Sequence, residues 1–581
     1  MKQANELGRT AIVTGDDLDP GRVARMANTP KDTLRRLADD EPYRHDIFVA
    51  LVAPIGSSRV EVTAALEGML GSYGYDTDRV HLAGLLEKVP NLTAEPLPDR
   101  SHPDYYNRRM DAGNRLRGHA GDWSALAALA VMRIAAHRDA RRTEGERGSK
   151  PVAYVLDSLK NPREAELLRA VYGSALWLVA VVEDMADRKS NLTDELAKSQ
   201  SDFDVPEARA VELMARDEAE EEKHGQRVRD VFAMADFFLP VRRGVNWRDG
   251  VDRFLRGVFG APFLTPTKDE DAMRHAQAAA LRSAAVGRQV GAAIVPVLGA
   301  PFLLGTNEVP KPGGGQFREG DEPDYRDFRT GSDPNPAYTE RVLNEVMERL
   351  ARAKFFTSER NGAGGGGAAI LREASTPDEH GKSVLDGTRA KALIEFTRCL
   401  HAEQAAIVDA ARTGVAIAGA RLYTTTFPCH ECTKFIVGAG ITEVQYIEPY
   451  PKSLAGDLYR DLIDAVPPLE DENETEVGHR VPFRPFLGFG PTRYDDVFVA
   501  RQRRSGGGLA KHNPLQASPV GHGWSEQAVQ ERQDEVTVAI VAVTDSIEVA
   551  TEDSKVEVSS AVGDGSTDVT ESGSDSVRRG I

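Results

Sequence analysis

Four residues between positions 401 and 432 have the types and the spacing of a catalytic metal site. One residue separates His401 from Glu403, and two residues separate Cys429 from Cys432, directly after Pro428. An imidazole and two thiolates are ligands that zinc accepts, and a catalytic zinc has three protein ligands and one open position. Zinc in such a position lowers the pKa of a bound water, which provides a nucleophile at neutral pH. Glu403 is not needed as a ligand and can carry protons.

The flanking sequence predicts two helices that hold these side chains. His401 precedes the run 402–407, in which apolar residues recur at helical spacing. Cys429 and Cys432 stand three positions apart at the start of a second predicted helix, which extends to Gly438, so both sulfurs share one face. Unpaired N–H groups at the start of a helix favour negative charge, and they therefore favour thiolates.

The two halves of this pattern are more specific together than apart. A lone C-x-x-C is often a structural zinc site or a redox pair, and a lone H-x-E has little specificity. Here H-x-E is followed by P-C-x-x-C, the signature of zinc deaminases that act on cytosine or adenine. The sequence resembles that family, and the resemblance implies Zn2+ on His401, Cys429 and Cys432, with Glu403 as the catalytic proton carrier. Cys399 has no place in the signature, and we predict that it is a buried apolar residue.

Composition and charge restrict the class of protein. The chain has 581 residues, which predicts two or three domains, and a formal net charge of −18 with a pI of about 5.3. This acidic balance argues against a nucleic-acid partner, which requires a basic face. No apolar run approaches membrane-spanning length, and the first residues lack the apolar core of a signal peptide. These two features predict no membrane partner. Only three cysteines are present, which predicts a protein without disulfides in the reducing cytoplasm.

The first half of the chain predicts a parallel α/β sheet. Residues 1–44 are polar and predict a partly disordered leader. Within residues 45–260, the run Ile47–Val52 is short, apolar and rich in β-branched residues, which is typical of a buried strand. Similar runs at 152–156 and 175–182 alternate with helical stretches, the pattern of a sheet with helices on both sides.

The turn after the first strand has the context of a phosphate-binding loop but a degenerate sequence. A strand, a Gly/Ser turn and a helix follow one another, so Gly56, Ser57 and Arg59 are candidate contacts of a bound nucleotide. Arg59 replaces the lysine of the usual pattern and Val60 offers no hydroxyl to magnesium, so we expect no phosphoryl transfer. The alternative is a fold kept without its ligand. Asp157, at the end of a later strand, is a candidate magnesium contact.

The second half, residues 265–504, contains the metal motif and a candidate substrate contact. Asn307 follows a predicted strand in the stretch L-L-G-T-N-E. In deoxycytidylate-deaminase-like domains the matching G-x-N stretch lines the pocket, so the resemblance implies that Asn307 hydrogen-bonds the substrate near the sugar and the base. The alternative is an asparagine that serves only a turn, which the neighbouring Gly305 and Pro310 allow.

Two segments lie outside this minimal plan. Residues 316–375 are polar, contain the glycine-rich stretch 362–367, and predict an insertion with a flexible loop. Residues 505–581 are rich in Ser, Asp, Glu and Gly and predict a mostly disordered tail. Its one β-prone run, 536–543, is a candidate edge strand.

Further stretches resemble one family of two-domain deaminases. They are V-A-P-I-G and the segments 108–117, 158–173, 216–238, 444–455 and 481–494. Over this collinear set the chain resembles the anti-phage dCTP deaminases, in which a nucleoside-monophosphate-kinase-like P-loop domain precedes the deaminase domain. The resemblance implies an α/β fold with an N-terminal P-loop kinase-like parallel sheet, a C-terminal cytidine-deaminase-like α/β/α domain and a disordered acidic tail.

The same resemblance implies the reaction and the partners. dCTP and water give dUTP and ammonia, which drains the dCTP pool during phage infection. The expected partners are a free deoxycytidine nucleotide, a regulatory nucleotide in the N-terminal domain and further copies of the chain in a homo-oligomer. A dCMP deaminase of pyrimidine metabolism is the main alternative, because the same motif serves both substrates. A polynucleotide cytidine deaminase is disfavoured by the acidic charge, and a non-catalytic nucleotide sensor is disfavoured by the intact Glu403.

Overall fold

The computed structural model describes most of the chain between residues 45 and 547. The described residues are 45–143, 150–198, 206–220, 224–242, 246–299, 302–356, 366–378, 382–465, 480–499, 501–505, 507–521 and 524–547. The predicted leader, residues 1–44, and most of the predicted glycine-rich loop lie outside them.

The described residues alternate between strands and helices along most of the chain. The strands are β1 (Ile47–Val52), β2 (Asp76–His81), β3 (Val152–Asp157), β4 (Leu176–Glu183), β5 (Phe237–Val241), β6 (Gly291–Val295), β7 (Leu303–Thr306), β8 (Arg421–Thr426), β9 (Glu443–Glu448), β10 (Ile463–Asp464), β11 (Val481–Pro485), β12 (Gly488–Phe489), β13 (Arg504–Ser505) and β14 (Gly508–Leu509). The helices are α1 (Arg59–Ser72), α2 (Leu82–Leu85), α3 (Tyr105–Ala120), α4 (Ala125–Thr143), α5 (Pro162–Tyr172), α6 (Met185–Lys198), α7 (Pro206–Glu218), α8 (Val228–Phe232), α9 (Arg248–Val258), α10 (Lys268–Ala280), α11 (Asp327–Thr330), α12 (Pro334–Arg352), α13 (Gly367–Ser375), α14 (Ala402–Thr413), α15 (His430–Gly438), α16 (Ala455–Leu458), α17 (Tyr494–Phe498) and α18 (Glu526–Asp545).

The first sheet has the strand order β12-β5-β4-β1-β3-β2. β1 to β5 run parallel, and β12 pairs antiparallel with β5. Every residue of β1, β3 and β4 is buried, because separate apolar layers cover the two faces of the sheet. The parallel α/β sheet predicted for the first half is confirmed, and β1 has the predicted bounds.

The second sheet has the strand order β10-β11-β9-β8-β6-β7. β6 is antiparallel to both of its neighbours, and the other pairs are parallel. Two glycines of this sheet allow a helix backbone to pack closely against it. A Cβ on Gly291 would lie 2.0 Å from the carbonyl oxygen of Ala276 in α10. A Cβ on Gly305 would lie 1.9 Å from the carbonyl oxygen of Ala402 in α14. Because Gly305 pairs with Ala292, the neighbour of Gly291, α10 and α14 cover opposite faces of the sheet.

Helix α10 lies between the two sheets and joins them. Its residues Met273 and Ala276 belong to one apolar cluster with Val182 and Phe238 of the first sheet and Ala293 of the second. A capping box formed by the residues at 267 and 270 fixes the start of this helix. The metal-motif half is therefore packed directly onto the first sheet.

The chain returns to the first sheet after β11. Phe489 in β12 is fully buried, and it lies against Gly257, where a Cβ would stand 2.2 Å from its ring. Arg493 holds its guanidinium 3.8 Å from the ring centroid of Trp177 in β4. This corrects the predicted domain boundary at residue 504, because residues 488–498 pack with the core of the first sheet.

The C-terminal segment also departs from prediction. Residues 526–545 form α18, which packs on α4 and α5 and buries Val529 and Ile540 in the core of the first sheet. Gln533 is fully buried and donates to the hydroxyl of Tyr172, 3.2 Å away. The predicted disorder and the predicted edge strand are therefore wrong for this segment; its apolar residues follow a helical repeat although many are β-branched. Residues 548–581 lie outside the described part.

Within the part of the chain that the structure describes, no helix combines the length and the apolar character that crossing a bilayer requires.

Candidate metal centre

The structure brings the three predicted metal ligands together. Nδ1 of His401 lies 3.1 Å from Sγ of Cys429 and 3.4 Å from Sγ of Cys432. The three ligand atoms all lie within 4.8 Å of one another, and both cysteines are buried. Zinc–sulfur bonds are about 2.3 Å and zinc–nitrogen bonds about 2.0 Å long, so one ion can contact all three atoms.

Two helix starts position these ligands. His401 is the N-cap of α14, where its backbone N–H donates to Oε1 of Gln404 at 3.1 Å. Cys429 is the N-cap of α15, so Cys432 stands one turn into that helix. The turn before Cys429 is fixed by Ser453, whose hydroxyl donates to the carbonyl of Pro428 at 2.8 Å. The predicted second helix is confirmed.

The electrostatic setting of the cluster favours a bound cation. A hydrogen bond from Cys432, together with the nearby His401 imidazole, lowers the pKa of the Cys429 thiol to about 4. Burial raises the pKa of Cys432 well above its usual range. This setting favours the thiolate form of Cys429. A bound zinc ion would favour loss of the proton from the second thiol, as is usual for a coordinating thiol.

Glu403 stands beside the ligands without being needed as one. It is 4% exposed, Oε2 of its carboxylate lies 3.3 Å from Sγ of Cys432, and Oε1 accepts from Oγ1 of Thr424 at 3.4 Å. Burial raises the pKa of this carboxyl, and the nearby Cys429 adds to the effect. A carboxyl held in this way exchanges a proton more readily near neutral pH than an exposed one.

Asn307 has a structural role at the end of β7. Its Oδ1 accepts the backbone N–H of Val290 at 2.7 Å, and its Nδ2 donates to the carbonyl of Arg288 at 2.6 Å. Its own carbonyl accepts from the hydroxyl of Ser283 at 2.7 Å. These contacts are those of the turn alternative, and a substrate contact for Asn307 stays a prediction. Cys399 is buried, as predicted.

The comparisons with known proteins agree with this donor set. Residues 266–448 match the family model of the cytidine and deoxycytidylate deaminase zinc-binding region. These residues are thus similar to the zinc-binding region of that family. The metal of this site is zinc, because the matched region is a zinc-binding one and the His/Cys/Cys cluster lies inside it.

Curated relatives match shorter stretches of this chain. The deoxycytidylate deaminase of Enterobacteria phage T2 is 42% identical over 82 residues, which are 13% of this chain and 44% of that protein. ComE operon protein 2 of Bacillus subtilis (strain 168) is 45% identical over 110 residues, 19% of this chain and 54% of that protein. The chain thus spans about half the length of the curated relatives it matches. The apo crystal structure of dCMP deaminase from the cyanophage S-TIM5 aligns at 18% identity over 38% of this chain and 99% of that one, with a TM-score of 0.20.

The predicted nucleotide contacts lie apart from the deaminase domain. Gly56, Ser57 and Arg59 line a cavity of about 630 Å³ at the end of β1. Arg59 pairs with Asp157 at 2.6 Å, and Asp157 also accepts from Arg79. Burial opposes ionisation of Asp157, but hydrogen bonds and the Arg59 charge outweigh it and hold the pKa of this carboxyl well below its usual range. Asp157 is thus committed to these cations, which argues against the predicted magnesium contact.

Sequence reasoning missed four residues that shape the two sites. They are Thr424, which contacts Glu403, and Lys160, Glu183 and Asp217, which contact the loop after β1. Thr424 belongs to β8, the strand that leads to the cysteines. The other three are more than 100 positions away from the loop along the chain. No local sequence pattern therefore indicates that they contact it.

Proposed function

We propose that this protein catalyses the hydrolytic deamination of a free deoxycytidine nucleotide. The observation that carries the proposal is the buried Glu403 in contact with Cys432, inside the region that is similar to the cytidine and deoxycytidylate deaminase family. A structural zinc site has no use for a buried acid beside its ligands, whereas a hydrolytic one needs a proton carrier. The acidic net charge of −18 supports a free nucleotide over a polynucleotide substrate.

The side chains of the site divide the chemical work. Zinc, when bound to His401, Cys429 and Cys432, supplies an activated water. Glu403 would take one proton from the attacking water while the water oxygen bonds to C4 of the cytosine ring, and would give that proton to the ring nitrogen N3. It would then move the proton of the new C4 hydroxyl to the amino group, which leaves as ammonia when the C4–N bond breaks and the C4 carbonyl forms. Thr424 orients the Glu403 carboxylate during these transfers.

We assign dCTP as the substrate and dUTP as the product, with depletion of dCTP during phage infection as the role. The resemblance of most of residues 45–500 to the anti-phage dCTP deaminases supports this choice. The alternative is dCMP, since the phage T2 relative is a deoxycytidylate deaminase. In this proposal Asn307 contacts the nucleotide near its sugar and base. The three free cysteines support a reducing compartment such as the cytoplasm. A homo-oligomer stays a prediction.

We also propose that the first sheet forms a regulatory P-loop kinase-like unit that binds a nucleotide without transferring its phosphate. The cavity beside Gly56, Ser57 and Arg59 supports binding. The absence of a hydroxyl at Val60, together with the Arg59–Asp157 ion pair, supports the lack of transfer. An ATP-dependent phosphorylation of dCMP or dCDP by the pure protein would contradict this part.

The substrate panel is the direct test. Pure zinc-loaded protein is incubated separately with dCTP, dCMP, CTP and cytidine, and the uracil products are measured by chromatography. We expect dUTP from dCTP and little product from the ribonucleotide or the nucleoside. If only dCMP is converted, the triphosphate and defence assignments are wrong and the dCMP alternative holds. If none is converted, with or without extract from infected cells, the deaminase proposal fails.

A further inference from the structure

The loop after β1 already holds anions, and they belong to the protein. The backbone N–H of Ile55 donates to Oδ2 of Asp217 at 2.8 Å. The backbone N–H of Ser58 donates to Oε2 of Glu183 at 2.6 Å, and the Ser58 hydroxyl donates to Oε1 of the same carboxylate at 2.9 Å. N–H groups at a strand-to-helix turn are the donors that bind phosphate in such loops. Two carboxylates therefore occupy the position of a phosphate.

A lysine completes this anion site from a different part of the chain. Nζ of Lys160, in the segment between β3 and α5, lies 2.8 Å from Oδ1 of Asp217 and 3.0 Å from the carbonyl of Ala53. The degenerate loop lacks its own lysine, but Lys160 places an ammonium group at the same turn. The site thus has the amide donors and the cation that a phosphate requires.

The cavity next to this loop has the size and the lining of a nucleotide site. Its volume is about 630 Å³, within the usual range of small-molecule pockets. The lining also includes Lys198, the aromatic residues Tyr105 and Tyr106, and Arg100 and Arg109, which pair with Glu195 and Glu87. Cations and aromatic rings together fit a ligand with phosphates and a flat base.

A second cavity lies behind the two carboxylates. It has a volume of about 260 Å³ and is lined by Glu183 and Asp217, and Asp217 also lines the first cavity. Arg188 in α6 lines it too, and within the described part of the chain its guanidinium makes no hydrogen bond or ion pair. Its backbone packs on the loop, since a Cβ on Gly56 would stand 2.3 Å from the Arg188 carbonyl oxygen. Arg188 is thus a cation next to two carboxylates that are engaged elsewhere.

The opposite wall of this second cavity belongs to the deaminase domain. Tyr446 of β9 lines it, and the Tyr446 ring packs edge-on against Phe427 with the centroids 4.9 Å apart. Phe427 stands two positions before Cys429, and its backbone N–H donates to the carbonyl of Glu448 at 2.7 Å. A change in the ion pairs of this cavity is therefore connected to the zinc ligand Cys429 through the packed side chains of Tyr446 and Phe427.

We propose that the loop after β1 is a ligand-operated latch between the two units. The phosphate of a nucleoside phosphate replaces Glu183 and Asp217 on the N–H groups of Ile55 and Ser58, and the released carboxylates pair with Arg188 in the cavity between the units. The latch rests on the proposed function in that it regulates the deaminase domain, but its binding step is independent of deamination. Two states of one ion-pair network are the bistable element that such coupling needs.

The latch is tested by ligand binding to variants of the full-length protein. Isothermal titration with ATP and with inorganic tripolyphosphate, neither of which contains cytosine, is compared for wild type, Glu183→Gln and Glu212→Gln. Glu212 is an exposed residue of α7, so its variant is the matched control for the charge change. The amide in Glu183→Gln still accepts from Ser58 but carries no negative charge that repels phosphate. Glu183→Gln should therefore bind both probes at least about tenfold more tightly than wild type and Glu212→Gln do. A base on the Tyr105 side should make ATP the tighter of the two probes.

Arg188→Gln is the second variant. It should weaken binding of both probes, and this loss should shrink in the Glu183→Gln background, because one carboxylate no longer needs a partner. Equal affinities of wild type, Glu183→Gln and Glu212→Gln, or absence of binding in all of them, would overturn the latch. If binding follows the latch but no cytosine nucleotide is deaminated, the proposed activity fails and the latch stands.

Discussion

Sγ of Cys432 lies 3.3 Å from Oε2 of Glu403, so a metal ligand and the acid beside it are in direct contact. The contact spans two helices, because Cys432 belongs to α15 and Glu403 to α14. The proposed function assigns metal binding to Cys432 and proton transfer to Glu403, so the two roles fall on neighbouring side chains. Variants that remove one should spare the other, and this separation underlies the first and the last of the following predictions.

The cysteine pair should determine the zinc content. Replacing both Cys429 and Cys432 by Ala removes two of the three ligands, and the purified variant should contain less than about a tenth of the zinc of wild type. Cys399→Ala is the control, since this buried thiol lies outside the cluster, and it should keep its zinc. Elemental analysis of the three proteins gives the answer. Full zinc occupancy in the double variant would contradict the assigned ligand set.

Gly305→Ala should displace the helix that carries His401. The added Cβ would lie 1.9 Å from the carbonyl oxygen of Ala402, where the backbone of α14 rests on β7. Overpacking of this kind costs about 1–3 kcal/mol of the free energy of unfolding, and zinc affinity should fall as well. Gly287→Ala is the control, because its Cβ would meet no atom within 4 Å. Urea unfolding and zinc titration of both variants test the prediction, which fails if they behave alike.

Asp157 should make the stability of the first unit sensitive to acid. Its pKa is lowered in the folded state, so the ionised form stabilises the fold above the unfolded value of about 3.9, and that stabilisation disappears as pH falls toward the folded value. Asp157→Asn leaves Arg59 and Arg79 without their acceptor and should cost about 2 kcal/mol or more at pH 7.

The pH profile separates this cause from a loss of packing. Between pH 5 and about pH 3, unfolding experiments should show a larger loss of stability for wild type than for Asp157→Asn. Parallel profiles of the two proteins would show that the carboxylate charge contributes nothing. Asp230→Asn, at a partly exposed position of α8, is the control and should follow wild type.

The tail helix should stabilise the first unit. Ile540 is 3% exposed and packs in its core, so Ile540→Ala should lower the free energy of unfolding by about 2–4 kcal/mol. Val538 lies on the same helix and is 71% exposed, so Val538→Ala should change the free energy of unfolding by less than about 0.5 kcal/mol. Denaturant unfolding compares the two. Similar small effects would mean that α18 does not dock on this core in solution.

The zinc site could be predicted because its information is local. His401 and Glu403 begin one helix, and Cys429 and Cys432 begin another, so the spacing along the chain fixes their relative positions. β1 was predicted to its last residue for a similar reason, since a buried strand is a continuous apolar run.

The remaining features depend on contacts between distant residues. Glu183 and Asp217 reach the loop from 125 and 162 positions away, and no sequence pattern links them to it. The tail helix was mistaken for disorder with an edge strand because β-branched residues favour strands in isolation, whereas burial against α4 and α5 decides the outcome here. β12 has only two residues, and its place follows from the burial of Phe489.

The most direct test of the central claim compares wild type with Glu403→Gln. Both proteins are brought to the same measured zinc content, and release of ammonia from dCTP and dCMP is followed at neutral pH. The account predicts full zinc binding by both proteins, turnover by wild type, and a rate at least about a hundredfold lower for Glu403→Gln, because the amide cannot carry the proton. Wild-type turnover by zinc-loaded Glu403→Gln would contradict the account.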